Sequence, residues 1–231
     1  MFLGLNLIKY PMMCPYCNHC ITYDLKTEQK KCAKCKKKFS PKLIKRNIDI
    51  INSFCQNKSA SQTANQYELS YTTVKKRYDL FRKHIANYLE EVYKEHQTQE
   101  YDEYIYLAKS KKKIKENIFD AQNFLTFSYG DNKVYNLLMP NLHRYKQQFL
   151  NDGADEVYFR EFSRFMMFNK IAKTKQRENI ISSFWNYFEE SILKYKGVDN
   201  ESFIYYLKEI EFKFNYKLQE QIEILNKIIT K

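Results

Sequence analysis

Two Cys-x-x-Cys pairs, Cys14-Pro-Tyr-Cys17 and Cys32-Ala-Lys-Cys35, stand fourteen residues apart near the start of the chain. Such a turn presents two thiolates on one side of a knuckle, and two facing knuckles supply the four sulfurs of a tetrahedral zinc site. The ion lowers the thiol pKa values, so the ligands bind as thiolates. With all four positions filled by sulfur, none is left for a substrate, and the expected zinc is structural. A segment this short buries little apolar surface, so metal binding supplies its folding energy. Between the knuckles, residues 21–25 read as a short strand and 27–30 as a turn, the layout of a zinc ribbon. His19 or Cys20 could replace Cys17 as a ligand, and Cys55 reads as a buried helix residue. A disulfide pair is the plainer alternative. Phe2 to Ile8 is apolar but short, with no basic start and no cleavage site after it, so the chain reads as intracellular, with Met12 or Met13 as an alternative start.

Charge is unevenly placed. Residues 1–97 hold eighteen Lys and Arg against eight Asp and Glu, a balance of +10, while residues 98–231 carry only +2. A concentrated basic segment attracts a polyanion, usually nucleic acid. The bland alternative is a solubilising surface, since Lys outnumbers Arg by 32 to 7. No apolar run approaches the roughly 18 residues of a spanning helix. The 20 Tyr and 17 Phe are ample for a core.

Lys36-Lys37-Lys38-Phe39-Ser40 reads as a basic, strand-like tail able to lie against phosphates. Beyond Pro41, Ile44, Ile48, Ile51, Phe54 and Cys55 repeat at helical spacing. Ser61 is expected to cap a short helix over 62–67, and Ser70 a third helix from Tyr71. That third helix carries Thr72, Thr73, Lys75, Lys76 and Arg77 on one side and Val74, Tyr78 and Phe81 on the core side. A short helix, a turn and a polar-basic helix form a helix-turn-helix pattern, whose last helix opens onto the major groove. A three-helix bundle with solvated lysines is the alternative.

After a polar linker over 97–100 the period changes. Strands are expected over 102–109, within 119–129 and over 133–139, with Gly130-Asp131-Asn132 as a hairpin turn and Lys111-Lys112-Lys113 as a charged one. A helix over 142–150 and a fourth strand over 156–162 follow. A helix over 178–194 places Ile181, Phe184, Trp185, Phe188 and Ile192 on one face, and 202–229 reads as a long helical stretch. The aromatic residues across 184–216 fall at helical spacing and read as core; a platform for single-stranded DNA is the minority reading. The expected fold is therefore multi-domain α+β: a ribbon over 12–40, a helical domain over 41–97, and an RNase H-like α/β domain with a helical C-terminal extension over 98–231.

From about Cys14 to Tyr216 the chain resembles bacterial insertion-sequence transposases built as zinc ribbon, helix-turn-helix and integrase-like DDE domain. The likeness rests on the two cysteine pairs with Lys-Lys-Phe-Ser, the helix-turn-helix, and Asp102-Glu103-Tyr104. It rests also on 179–185, which ends in Phe184-Trp185, and on the tail 203–215, which ends in Glu211-Phe212-Lys213-Phe214-Asn215. The resemblance implies a site in which three carboxylates hold two divalent cations, Mg²⁺ or Mn²⁺, for DNA strand cleavage and transfer. Asp102 matches the first position, but Arg160 stands at the second and Ser182 at the third. A guanidinium at about 4 Å repels a unit positive charge by roughly 4 kcal/mol at an effective dielectric of about 20. The expected consequence is a domain that keeps its fold and loses metal binding. Glu161 and Glu178 could form a shifted triad with Asp102, although a one-residue shift on a strand turns a side chain to the opposite face.

The expectation is thus a transposase-family protein of the bacterial cytoplasm and nucleoid, with structural Zn²⁺, catalytically impaired. It would recognise double-stranded DNA through Thr72, Thr73, Lys75, Lys76 and Arg77, with phosphate contacts from Lys36, Lys37 and Lys38. The C-terminal domain would serve as a scaffold or as a homodimer or higher-oligomer interface. The alternatives are an active DDE transposase and a module binding RNA or acidic partners.

Overall fold

Ser40 ends the cysteine-bearing segment and starts the first long helix: its hydroxyl accepts from the N–H of Leu43, and Pro41 takes a first-turn position where its missing N–H costs nothing. The computed structural model describes residues 13–108, 120–140 and 179–229. Within them the chain is mixed α+β, with two small sheets and six helices. The residues form two compact units, Met1–His84 with Leu218–Lys231, and Ile85–Lys217.

The first unit opens with an antiparallel sheet of β1 (Thr22–Asp24), β2 (Lys30–Cys32) and β3 (Lys38–Phe39) in that order. Cross-strand partners share a face, so the register separates two surfaces. Thr22 lies opposite Cys32, and Asp24 opposite Lys30, which in turn faces Phe39. Cys14, Cys32 and Phe39 are buried together against Ile44. Tyr23, Lys31 and Lys38 form the other face.

Then come α1 (Pro41–Cys55), α2 (Ala60–Gln66) and α3 (Tyr71–Lys94). The α2 cap is Ser59, not Ser61. Ser59 accepts from the N–H of Gln62, and the Gln62 side chain reaches back to the Ser59 N–H, a reciprocal box that only the residue three places ahead of Gln62 can close. Ser70 caps α3 as expected, accepting from the N–H of Thr73. Phe54, Tyr78 and Phe81 meet edge-on and tilted in the core, and the Tyr78 hydroxyl contacts Thr63 Oγ1 at 2.8 Å and donates to the Lys58 carbonyl at 3.1 Å. Val74 is fully buried on the same stripe.

The second unit holds the antiparallel sheet β4 (Thr98–Tyr106), β5 (Gln122–Tyr129) and β6 (Lys133–Leu138), with the β5–β6 turn at residues 130–132. Gly130 and Asn132 there adopt φ of +52° and +58°, which favour these two residue types. The segment 97–100, expected as linker, enters the sheet from Thr98. The Glu100 N–H donates to Ser128 Oγ, and a register irregularity falls between Thr98 and Glu100, so pairing overrides local polarity.

Two helices, α4 (Ile180–Ile192) and α5 (Phe203–Asn215), pack with this sheet. Ile181, Phe184, Trp185, Phe188 and Ile192 are all buried, with Phe124, Val134, Phe203, Leu207 and Ile210. The stretch 202–229 is not one helix. Tyr216 is extended at φ −129°, ψ 140°, and α6 (Leu218–Ile229) restarts after it, within the first unit beside α1. The break has a cause. The Asn215 carboxamide donates to the Val134 carbonyl at 2.7 Å and accepts from the Val134 N–H at 2.9 Å, and the Tyr216 ring is buried against Tyr88 and Phe212. Two residues along β6, the Asn136 N–H donates to the Glu211 carboxylate at 3.0 Å. Side chains of α5 thus satisfy the outward backbone groups of β6, which would otherwise be an open edge.

The expected turn at 111–113, helix over 142–150 and strand over 156–162 lie outside the described residues, as do Arg160, Glu161 and Glu178.

Candidate metal centre and nucleic-acid interface

The two knuckles have the same local build. Asn18 N–H donates to the Cys14 carbonyl and Lys36 N–H to the Cys32 carbonyl, with φ of +55° at Asn18 and +60° at Lys36. This folds both cysteine pairs inward. The sulfurs of Cys14, Cys17, Cys32 and Cys35 all lie within 4.8 Å of one another, with Cys14–Cys35 and Cys17–Cys32 at 3.5 Å. A tetrahedron with Zn–S bonds of about 2.3 Å has edges of about 3.8 Å, so the tetrad fits zinc closely. A disulfide needs about 2.05 Å, and all six cysteines are free thiols. Burial opposes ionisation of Cys32, but the N–H groups of Cys35 and Lys34 and the neighbouring thiols bring it down to about 6. Cys20 is exposed and outside the tetrad, His19 contributes only its carbonyl, to the Cys14 N–H, and Cys55 is buried in α1. The choice among Cys17, His19 and Cys20 thus falls to Cys17.

At the start of α3, Thr72, Lys75 and Lys76 are exposed, while Thr73 and Arg77 are half-buried. The Thr73 hydroxyl is engaged with Ser70 Oγ at 2.7 Å. Among the described residues Lys75, Lys76 and Arg77 form no ion pair, which leaves three cations on one turn, two of them exposed and Arg77 half-buried. Of the lysine run, Lys37 Nζ lies 4.7 Å from the Tyr16 ring centre, Lys38 is in β3 and Lys36 follows the second knuckle; all three are exposed.

Asp102 lies mid-β4, half-buried, opposite Thr126, and its Oδ1 accepts from the Glu103 N–H at 2.7 Å. Ser182 is part of the α4 cap. Its Oγ accepts from the Asn179 N–H at 3.1 Å and donates to the Asn179 carbonyl at 2.9 Å, while Asn179 Oδ1 accepts from the Ser182 N–H at 2.9 Å. Sequence reasoning missed Glu100. It shares the strand phase of Asp102 and accepts from Asn179 Nδ2 at 3.4 Å, so strand alternation continued back through the polar stretch would have found it. Among the described residues the cysteine tetrad is the group of three or more ligands able to hold an ion; no set of three carboxylates joins Asp102 there. Those residues therefore do not make up a complete oxygen-ligand site for Mg²⁺ or Mn²⁺.

The chain is 35% identical over 72 residues to an uncharacterized transposase-like protein of Haemophilus influenzae. The matched stretch is 30% of this chain and 58% of that protein, so the chain spans under two thirds of its relative's length. No protein-family profile and no solved structure matches the chain. The likeness supports a relationship to transposases. No helix among the described residues is long and apolar enough to cross a membrane.

Proposed function

We propose that this protein is a transposase-family DNA-binding protein that docks on duplex DNA through a zinc ribbon and a helix-turn-helix and is catalytically impaired. The observation that carries the reading is the cysteine tetrad followed directly by three helices, the last of which opens with Lys75, Lys76 and Arg77, without ion pairs among the described residues, within the first 97 residues, which carry a +10 charge. The transposase-like relative supports it. The domains are read as 12–40, 41–97 and 98–231, the last RNase H-like. Its antiparallel three-strand meander with helices packed against it supports that assignment. Ser182 supports impairment, because its hydroxyl is committed to a helix cap at the position where the resemblance implies a third carboxylate. The C-terminal domain then acts as scaffold or oligomer interface, and the protein resides in the bacterial cytoplasm at the nucleoid.

One observation favours the alternative, an active DDE transposase: Glu100 adds a second carboxylate in the strand phase of Asp102, beside the α4 cap. The two readings separate in one assay series. Lys76→Gln with Arg77→Gln is expected to weaken duplex binding about tenfold or more, and Mg²⁺ or Mn²⁺ with end-bearing DNA to give no strand transfer. Strand transfer that vanishes in Asp102→Ala establishes the active enzyme. Unchanged duplex affinity in the double variant removes α3 from the interface.

A further inference from the structure

The outward face of the β1–β3 sheet has a composition that duplex docking by α3 does not use. Tyr23, Lys31 and Lys38 are direct cross-strand partners and line up across the three strands, about 4.8 Å apart from one strand to the next. The opposite face is taken by Cys32 and Phe39, so this one is turned away from the metal tetrad. The Tyr23 side chain is 57% exposed, and among the described residues it makes no ring contact, cation contact or hydrogen bond. Tyr16, the other exposed tyrosine of the segment, already has the Lys37 ammonium over its ring, and Ile21, two residues before Tyr23, is 53% exposed.

The charges point the same way. Residues 13–40 contain seven lysines and two acidic residues, and both acids are spent on ion pairs, Asp24 with Lys30 at 2.8 Å and Glu28 with Lys42 at 2.6 Å. Lys31, Lys34, Lys36, Lys37 and Lys38 have no carboxylate partner among the described residues. An open aromatic ring beside a row of unneutralised ammonium groups is the chemistry that holds unpaired nucleic acid: a base stacks on the ring and its phosphates meet the lysines. A duplex offers no unstacked base to Tyr23. A second copy of the chain on the same face would set Lys31 and Lys38 against their own counterparts, a like-charge contact.

We infer that the Tyr23–Lys31–Lys38 face binds single-stranded DNA by stacking an unpaired base on Tyr23. The site lies outside the α3 surface assigned to duplex DNA and shares only Lys38 with the lysine run proposed to meet duplex phosphates, so Tyr23 and Lys31 carry a test independent of duplex docking. The probe is a twelve-nucleotide single strand of mixed sequence carrying one 2-aminopurine, titrated against the zinc-loaded full chain, with the matching duplex and an RNA strand in parallel. Tyr23→Ala is expected to weaken single-strand binding about tenfold and to abolish the change in 2-aminopurine fluorescence, while Tyr23→Phe keeps both. Lys31→Gln and Lys38→Gln should each flatten the slope of log affinity against log salt by about 0.7. Duplex binding should be unmoved by Tyr23→Ala, and single-strand binding unmoved by Lys76→Gln with Arg77→Gln. Four results overturn the inference: unchanged single-strand affinity in Tyr23→Ala, equal loss of duplex binding, tighter binding of RNA than of DNA, or a Tyr23→Ala effect confined to self-association in sedimentation.

Discussion

Cys32→Ser is expected to strip the protein of zinc and unfold residues 13–40 while the second unit stays folded. The β1–β3 segment has only Cys14, Cys32 and Phe39 buried, packed with Ile44, too little apolar surface to hold a fold. In small zinc-binding peptides the metal contributes on the order of 10–16 kcal/mol, so losing one of four sulfurs removes most of what holds this segment together. Cys32 has the largest expected effect because it is wholly buried and also takes the Cys35 N–H at 3.4 Å. Zinc content should fall from about one ion per chain to near zero. Proteolysis should begin within 13–40, and a strong chelator acting on the unmodified protein should reproduce the effect. Cys20→Ser should leave zinc content unchanged, since that sulfur is outside the tetrad. A Cys32→Ser protein that keeps its zinc and its protease resistance would contradict the site.

The second large effect is expected at Glu211. A buried hydrogen-bond chain runs through the second unit from α4 to α5. Trp185 Nε1 donates to Thr126 Oγ1 at 2.9 Å, Thr126 donates to Asn136 Oδ1 at 2.7 Å, and Asn136 donates twice to Glu211 Oε2, at 3.0 Å each. Glu211 then pairs with Lys208 at 2.9 Å, and the Lys208 ammonium sits 3.5 Å from the Tyr135 ring centre. Burial pushes the Glu211 carboxyl up and the Lys208 ammonium down, and each opposes the shift in the other. Glu211→Ala leaves a buried ammonium unpaired and the Asn136 N–H without an acceptor, and should cost about 3–5 kcal/mol. Glu211→Gln combined with Lys208→Met removes both charges yet keeps an acceptor for Asn136. It should recover stability to within about 1–2 kcal/mol of the parent. Urea unfolding followed by Trp185 fluorescence measures both. Equal losses in the single and double variants would show that packing, not the unpaired charge, sets the cost.

The same chain shows why some of the fold was legible and some was not. The cysteine tetrad could be read from the sequence because its geometry is local: each knuckle is closed by one backbone bond four residues long, and only one pairing of knuckles is needed. The α1–α3 core was legible for a similar reason, since Val74, Tyr78 and Phe81 recur at helical spacing and are buried as that spacing requires. The cap of α2 was not, because Ser59 and Ser61 are equivalent as residue types and differ only in whether Gln62 sits three places on. The strand across 98–100 was hidden by its polar composition; its partners, Ser128 and Tyr129, lie some thirty residues away. The end of α5 depends on Asn215 reaching Val134, 81 positions earlier. Trp185 and Glu211 stood out in the sequence only as parts of two remote motifs, and the structure gives them a common reason: both belong to one buried chain of hydrogen bonds. Of the positions that the resemblance implies for catalysis, Asp102 and Ser182 could be placed on their elements, and Ser182 has a role that needs no metal.

The proposed role in DNA binding is tested most directly by the salt dependence of duplex affinity. Lys75, Lys76 and Arg77 with Lys36, Lys37 and Lys38 provide six cations for phosphate contact. If all six engage, log affinity should fall against log salt with a slope near −5, a loss of about a thousandfold between 50 and 200 mM. Zinc-stripped protein, deprived of the three lysines around the second knuckle, should show a slope near −3. An affinity that barely changes over that salt range, in the zinc-loaded protein, contradicts the account.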